Sequence, residues 1–215
     1  MACGGILGTT AFLAAELPLF TTFSMHSFLD LILSGNKHST EQLETLNKYI
    51  RTKHFSKGDV LLRKGELCSK GYFVQKGCLR CYSIDEKGKE HIFMFAPEGW
   101  MASDIASQWQ NAPSELFIDA IEDSQVEVFD IQQAAQEGFD ILQLFGAGTE
   151  KLLNRIAVLQ SRIIMLMSAS AWERYQHFLD TYPNIVQRAP QRMIASYLGI
   201  TPEALSKLRG EKARR

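Results

Sequence analysis

The chain lacks any surplus of charge. Its 23 Lys and Arg stand against 24 Asp and Glu, a formal net charge of −1, so bulk charge names no partner. It is also poor in cysteine. Cys3, Cys68, Cys78 and Cys81 are too few to staple 215 residues, which excludes a disulfide scaffold and fits a reducing, cytoplasmic setting. No secretory signal is present in the first 24 residues, MACGGILGTTAFLAAELPLFTTFS, because they have no basic n-region. Nor do they offer the ~20 uninterrupted apolar residues of a membrane span, since Glu16 and Pro18 interrupt them, so no membrane association is expected. Met25 opens an ordinary amphipathic stretch, MHSFLDLIL, and reads as the natural start, with residues 1–24 an extension. Catalytic constellations are missing as well: no Ser-His-Asp set, phosphate loop or spaced carboxylate pair stands out, which argues against an enzyme. Cys78 and Cys81 spell C-x-x-C, but in the strand-like run CLRCYSI residues three apart face opposite sides, and one pair without a second makes no metal site.

The composition that remains, 46% hydrophobic and 22% charged, is that of a globular protein, and its order along the chain is informative. Residues 25–50 read as short helices, with Ser39 or Thr40 capping STEQLETLNKYI. From about residue 51 to 131 short alternating runs are cut by Gly58, Gly65, Gly77 and Gly88, the pattern of an antiparallel barrel or jelly roll. Between Gly146 and Leu166 proline disappears. Phe145, Thr149, Leu152, Ile156, Leu159, Ile163 and Leu166 then step by four and three alternately, the a/d seam of a two-stranded coiled coil. A single amphipathic helix packed within one subunit would use the same residues; the strict stepping favours a symmetric dimer.

Charge is uneven too. From Asn184 onward seven Lys and Arg face two Glu, whereas the rest of the chain holds 16 basic and 22 acidic residues. A basic end on an acidic chain fits an anionic partner, with a solvated tail as the plainer alternative. The stretch IASYLGITPEALSKLRGEKARR decides for a device. Met193, Ile194, Tyr197 and Leu198 give one helix a buried face, and Gly199 ends it in the left-handed conformation. Thr201 caps a second helix, and Pro202 takes its first position, where a missing N–H costs nothing. Leu205 and Leu208 turn inward while Glu203, Ser206, Lys207 and Lys212 turn out. This is a helix-turn-helix pattern, in which the second helix enters the major groove of double-stranded DNA. Lys207 suits guanine O6 and N7, Glu203 suits cytosine N4, and Ser206 suits either role. Arg192, Arg209, Lys212, Arg214 and Arg215 suit phosphates, and Thr201 stands at the entry to the groove.

The order of these parts resembles the Crp/Fnr family of transcription regulators. FSKGDVLLRKGELCSKGYFVQKGCLRCYSIDEKGKEHIFMFAPEGW is similar to the first half of a cyclic-nucleotide-binding-type barrel, and the long helix with IASYLGITPEALSKLRG to the remainder. The likeness covers residues 28 to 212 and is nearest in feel to short members from Bacteroidetes-like bacteria. It implies an α+β fold with an N-terminal antiparallel jelly-roll sensor barrel, a long dimerisation helix and a C-terminal helix-turn-helix with little or no wing. The expected divisions are 1–24 (extension), 25–138 (sensor domain with its N-terminal helices), 139–168 (dimerisation helix) and 169–215 (DNA-binding domain). It also implies a homodimer on a pseudo-palindromic DNA site, with RNA polymerase and a small-molecule effector of unknown identity as further partners. Nucleotide-binding relatives carry a Gly-Glu pair for the ribose and an Arg for the phosphate. Here Asp104 follows Ser103, and the Arg position falls at or near Ser114, followed by Glu115, which argues against cyclic AMP. An effector pocket is expected around Trp100, Asp104 and Ser114. Pro202 stands where many relatives place a base-reading Arg, so the target site should differ from theirs. A small-ligand sensing module without DNA activity of its own is the competing reading.

Overall fold

A computed structural model describes residues 27–29, 40–138 and 160–213. Residues 1–24, expected to be an extension, and Leu152, Ile156 and Leu159 of the expected seam lie outside the described residues. Helix α1 (Thr40–Asn47) leads into eight strands: β1 (Ile50–Phe55), β2 (Val60–Leu62), β3 (Lys70–Lys76), β4 (Leu79–Ile84), β5 (Glu90–Ala96), β6 (Met101–Ala102), β7 (Phe117–Ala120) and β8 (Ser124–Asp130). The short α2 (Ile105–Gln110) interrupts them before β7, and α3 (Ile131–Gln136) follows β8. A helical run over 160–168 then leads to α4 (Ala171–Thr181), α5 (Ile185–Arg188), α6 (Gln191–Leu198) and α7 (Pro202–Ala213).

The strands form two four-stranded antiparallel sheets, ordered β1-β8-β3-β6 and β2-β7-β4-β5. Between them lies a core of Leu62, Val74, Leu79, Cys81, Ile118 and Val126, contributed by β2, β3, β4, β7 and β8. Gly58, Gly65, Gly77 and Gly88 all have positive φ, in line with the turns expected of them. At Gly77 no side chain would fit: a Cβ would sit 2.3 Å from Ser124 Oγ and 2.7 Å from the Asp123 carbonyl. Phe28 closes the other side of the first sheet, its ring centroid 4.8 Å from that of Phe129.

Strand β4 is buried on both faces. Leu79 and Cys81 face the barrel interior, whereas Cys78 and Tyr82 belong to a second core shared with α4–α7. The two cysteines of the C-x-x-C thus sit in different clusters, and burial pushes the Cys78 thiol up to about 12. On the outward face Arg80 pairs with its cross-strand neighbour Asp119 (Nε–Oδ1 2.7 Å, Nη2–Oδ2 2.8 Å) and with Glu90, and lies 4.0 Å from the Tyr82 ring centroid. A buried guanidinium needs both carboxylates, since either alone would leave donors desolvated and unpaired.

Candidate nucleic-acid interface

Helix α6 buries Met193, Ile194, Ala195, Tyr197 and Leu198 and exposes Gln191 and Arg192. Gly199 ends it at φ +68°, and the Ile200 N–H returns to the Ala195 carbonyl (3.0 Å), satisfying the helix end while turning the chain. Thr201 Oγ1 accepts the Ala204 N–H (3.2 Å), and α7 begins at Pro202, as its sequence predicts. Leu205 is fully buried and Leu208 half-buried; together they pin α7 to the shared core. That anchoring fixes which side of α7 meets solvent: Thr201, Glu203, Ser206, Lys207 and Arg209 are all exposed. The Glu203 carboxyl is held below its ordinary range, chiefly by its own backbone N–H at the helix start and then by Thr201. Arg192, Lys207 and Arg209 make no ion pair among the described residues, so their charges are available to an anionic partner. The side chain of Lys212, and Arg214 and Arg215 altogether, lie outside the described residues.

The two-helix unit is seated on the barrel. The Ser196 hydroxyl donates to the Glu90 carbonyl (2.7 Å) and accepts the Ile92 N–H (3.0 Å), so α6 is bonded to the outer edge of β5. Phe95 of β5 enters an aromatic cluster with Phe178, Tyr182 and Tyr197, at centroid separations of 6.1, 5.8 and 5.8 Å. Arg188 of α5 clamps the rim, reaching Glu98 (Nη1–Oε2 2.9 Å, Nη2–Oε1 2.8 Å) and Glu122 (Nε–Oε1 3.0 Å). None of Ser196, Arg188 and Phe95 was marked by the sequence. Each contact joins residues 66 to 106 positions apart, and each partner is an ordinary residue of its own element.

Of the three residues expected around an effector, two come together. Asp104 Oδ1 caps α2 through the Ser107 N–H (3.1 Å), and Oδ2 accepts the Ser114 hydroxyl (2.7 Å). Cys68 completes the network: its N–H reaches Ser107 Oγ (3.0 Å), and its sulfur receives the Asp104 N–H (3.4 Å). Asp104 and Ser114 are buried, so a carboxylate already occupies the helix start where an anion would otherwise be welcome. Glu115 instead points to solvent and pairs with Lys64 (2.7 Å). Trp100 serves elsewhere; its ring lies 5.3 Å from that of Tyr182, tying the barrel to α4. Among the described residues no group of three His, Cys, Asp or Glu could hold a metal, and no helix is long and apolar enough to cross a membrane.

Residues 52–137 match the family profile of the cyclic nucleotide-binding domain. The fumarate and nitrate reduction regulatory protein of Yersinia pestis is 28% identical over 198 residues, 81% of this chain and 73% of that protein. Among solved structures, FixK2 of Bradyrhizobium japonicum has a TM-score of 0.64 at 19% identity, covering 75% of this chain and 83% of its own. A structure from Eubacterium rectale, described as a regulator of the crp/fnr family, has a TM-score of 0.62 at 19% identity, covering 82% and 85%. The chain thus carries a cyclic nucleotide-binding domain and has regulators of the Crp/Fnr type as its relatives. Its antiparallel barrel and C-terminal helices have the fold of these structural neighbours, and the outer side of α7 is exposed.

Proposed function

We propose that the protein is a homodimeric, sequence-specific DNA-binding transcription regulator whose barrel does not use cyclic AMP as its effector. One observation carries the reading. Helix α7 is fixed from beneath by Leu205, while a hydroxyl-bearing, acidic and basic set along its outer side is exposed and free of ion pairs to other described elements. Glu203, Ser206 and Lys207 would read base edges; Thr201, Arg192, Arg209 and Lys212 would hold phosphates. Dimer formation is supported by Ile163, Leu166 and Met167, exposed at 56%, 45% and 82% on the 160–168 run that continues the four-three seam. The absence of a cyclic nucleotide effector rests on the buried Asp104–Ser114 pair, whose negative charge would repel a phosphate.

A gel-shift series on DNA upstream of the protein's own gene tests this. Lys207→Ala and Glu203→Ala should alter base preference, each by about 1–3 kcal/mol at its own position. Arg209→Ala should weaken all sequences alike and reduce the salt slope by about one. Absence of any shift at low salt would leave the sensing-module reading standing instead. Sedimentation at micromolar concentration should report dimers, and solitary subunits with DNA present would overturn the assembly.

A further inference from the structure

The 160–168 run, α4 and α6 line a small cleft, partly open to solvent, that neither the barrel nor the exposed side of α7 uses. Its walls are of two kinds. Met165, Leu166 and Leu198 are apolar, while Arg162, Arg174, His177 and the face of Tyr197 are polar or cationic. Two arginines share this small space, and neither makes an ion pair among the described residues. Arg162 lies with its guanidinium carbon 3.8 Å from the Tyr197 ring centroid and reaches the Tyr197 carbonyl at 3.4 Å, which leaves most of its fork undirected. Arg174 donates one bond, Nη1 to the Ala169 carbonyl (2.8 Å). Its Nε is the one buried side-chain nitrogen or oxygen without a hydrogen-bond partner among the described residues. A buried guanidinium N–H left unmatched keeps its full desolvation cost, which an acceptor in the cleft would remove.

We propose that this cleft is a binding site for one oxyanion group: the carboxylate of a small organic acid, or an inorganic dianion of sulfate type. Planar, permanently charged forks are matched to such groups, and the low surrounding polarity strengthens the contact. His177 lies beside them. Burial, and to a lesser degree the Arg162 charge, favour its neutral form against the opposing pull of Asp180, so the ring can donate one N–H without adding to the repulsion between the arginines. Asp180 itself makes no ion pair with either arginine. A bound group would bridge the 160–168 run to α4, across the two residues that separate them, and would sit against Leu166 next to the Gly199 turn. It would therefore brace the two-helix unit at Tyr197 and Leu198. Only this bracing rests on the DNA-binding reading; occupancy of the cleft does not.

The experiment accordingly uses the full chain without DNA. Histidine ring resonances are followed by NMR while sulfate, acetate or butyrate is added, with chloride at matched ionic strength as control; His177→Gln identifies the signal among the five histidines. Saturable movement of the His177 signal, with its titration displaced upward by the nearby negative charge, is expected for at least one oxyanion and not for chloride. Arg174→Gln should weaken the response at least tenfold. Where that variant loses the native near-UV circular dichroism, Arg174→Lys replaces it; this keeps the charge but removes the fork, and several-fold weakening is expected. A preference for butyrate over acetate assigns an organic acid lying on Met165, Leu166 and Leu198; a preference for sulfate assigns an inorganic dianion. Equal responses to chloride and every oxyanion, or an unchanged response in the Arg174 variant, overturn the proposal. Loss of gel-shift activity with the NMR response intact would instead count against the DNA-binding reading alone.

Discussion

Phe95 is the residue on which the union of barrel and C-terminal helices can be tested most directly. It belongs to β5, yet its completely buried ring lies among Phe178 and Tyr182, at the end of and just beyond α4, and Tyr197 of α6. Replacing it by Ala removes the ring from a packed site and leaves a cavity that three aromatic neighbours cannot readily fill. Such truncations cost about 3–5 kcal/mol. With a urea dependence of about 2.5 kcal/mol per molar, the unfolding midpoint should fall by roughly 1–2 M. The assay is urea unfolding at fixed protein concentration, followed by far-UV circular dichroism and by tryptophan fluorescence. Trp100 lies against Tyr182 and Trp172 lies in α4, so two of the three tryptophans report the junction. In the parent protein both signals should move together; in Phe95→Ala the fluorescence change should come first. A loss below about 1 kcal/mol with coincident transitions would falsify the shared core, because an isolated edge-strand side chain is worth no more than that.

Gly77→Ala should be far more damaging than Gly88→Ala: both have positive φ, but only the first places a Cβ 2.3 Å from Ser124 Oγ, whereas the second meets nothing within 4 Å. Thermal melts should show about 1 kcal/mol for Gly88→Ala and several-fold more, or no soluble protein, for Gly77→Ala. Cys68, Cys78 and Cys81 are buried, their thiols raised by burial, so iodoacetamide at pH 8 should leave them unmodified by mass mapping until denaturant is added. The Glu98 carboxyl is lowered despite the burial that opposes this, because Arg188 donates to it. Its contribution is therefore complete above the ordinary Glu value of 4.5 and lost as pH falls through the lower folded value. Urea midpoints below that pH should decline more steeply in the parent than in Arg188→Gln, and parallel curves would remove the clamp.

Local chemistry was what the sequence displayed. Glycine at four turns, the Thr201 cap, Pro202 at the first helical position and Leu205 beneath α7 follow from rules that act over a few residues, and each appears where those rules put it. The pairing of Asp104 with Ser114 was approached only through resemblance, which marked both positions for a ligand without indicating that they bond to one another. Contacts between distant segments were invisible. A serine inside SYLG gives no sign that it will bond to a strand 106 residues earlier, and Trp100 looks like a pocket residue until Tyr182 is found beside it. Helical periodicity suggests a seam, of which only Ile163 and Leu166 fall among the described residues, and both are exposed there.

The Ser196 hydroxyl has a further consequence for the barrel. Strand β5 ends its sheet, and an uncovered border of that kind offers unsatisfied amides and carbonyls to any stray extended chain. By engaging the Ile92 amide and the Glu90 carbonyl together, α6 blocks that invitation at the start of the strand. The helices packed on the barrel thus also act as a guard, keeping β5 from recruiting unwanted strands for as long as they stay docked.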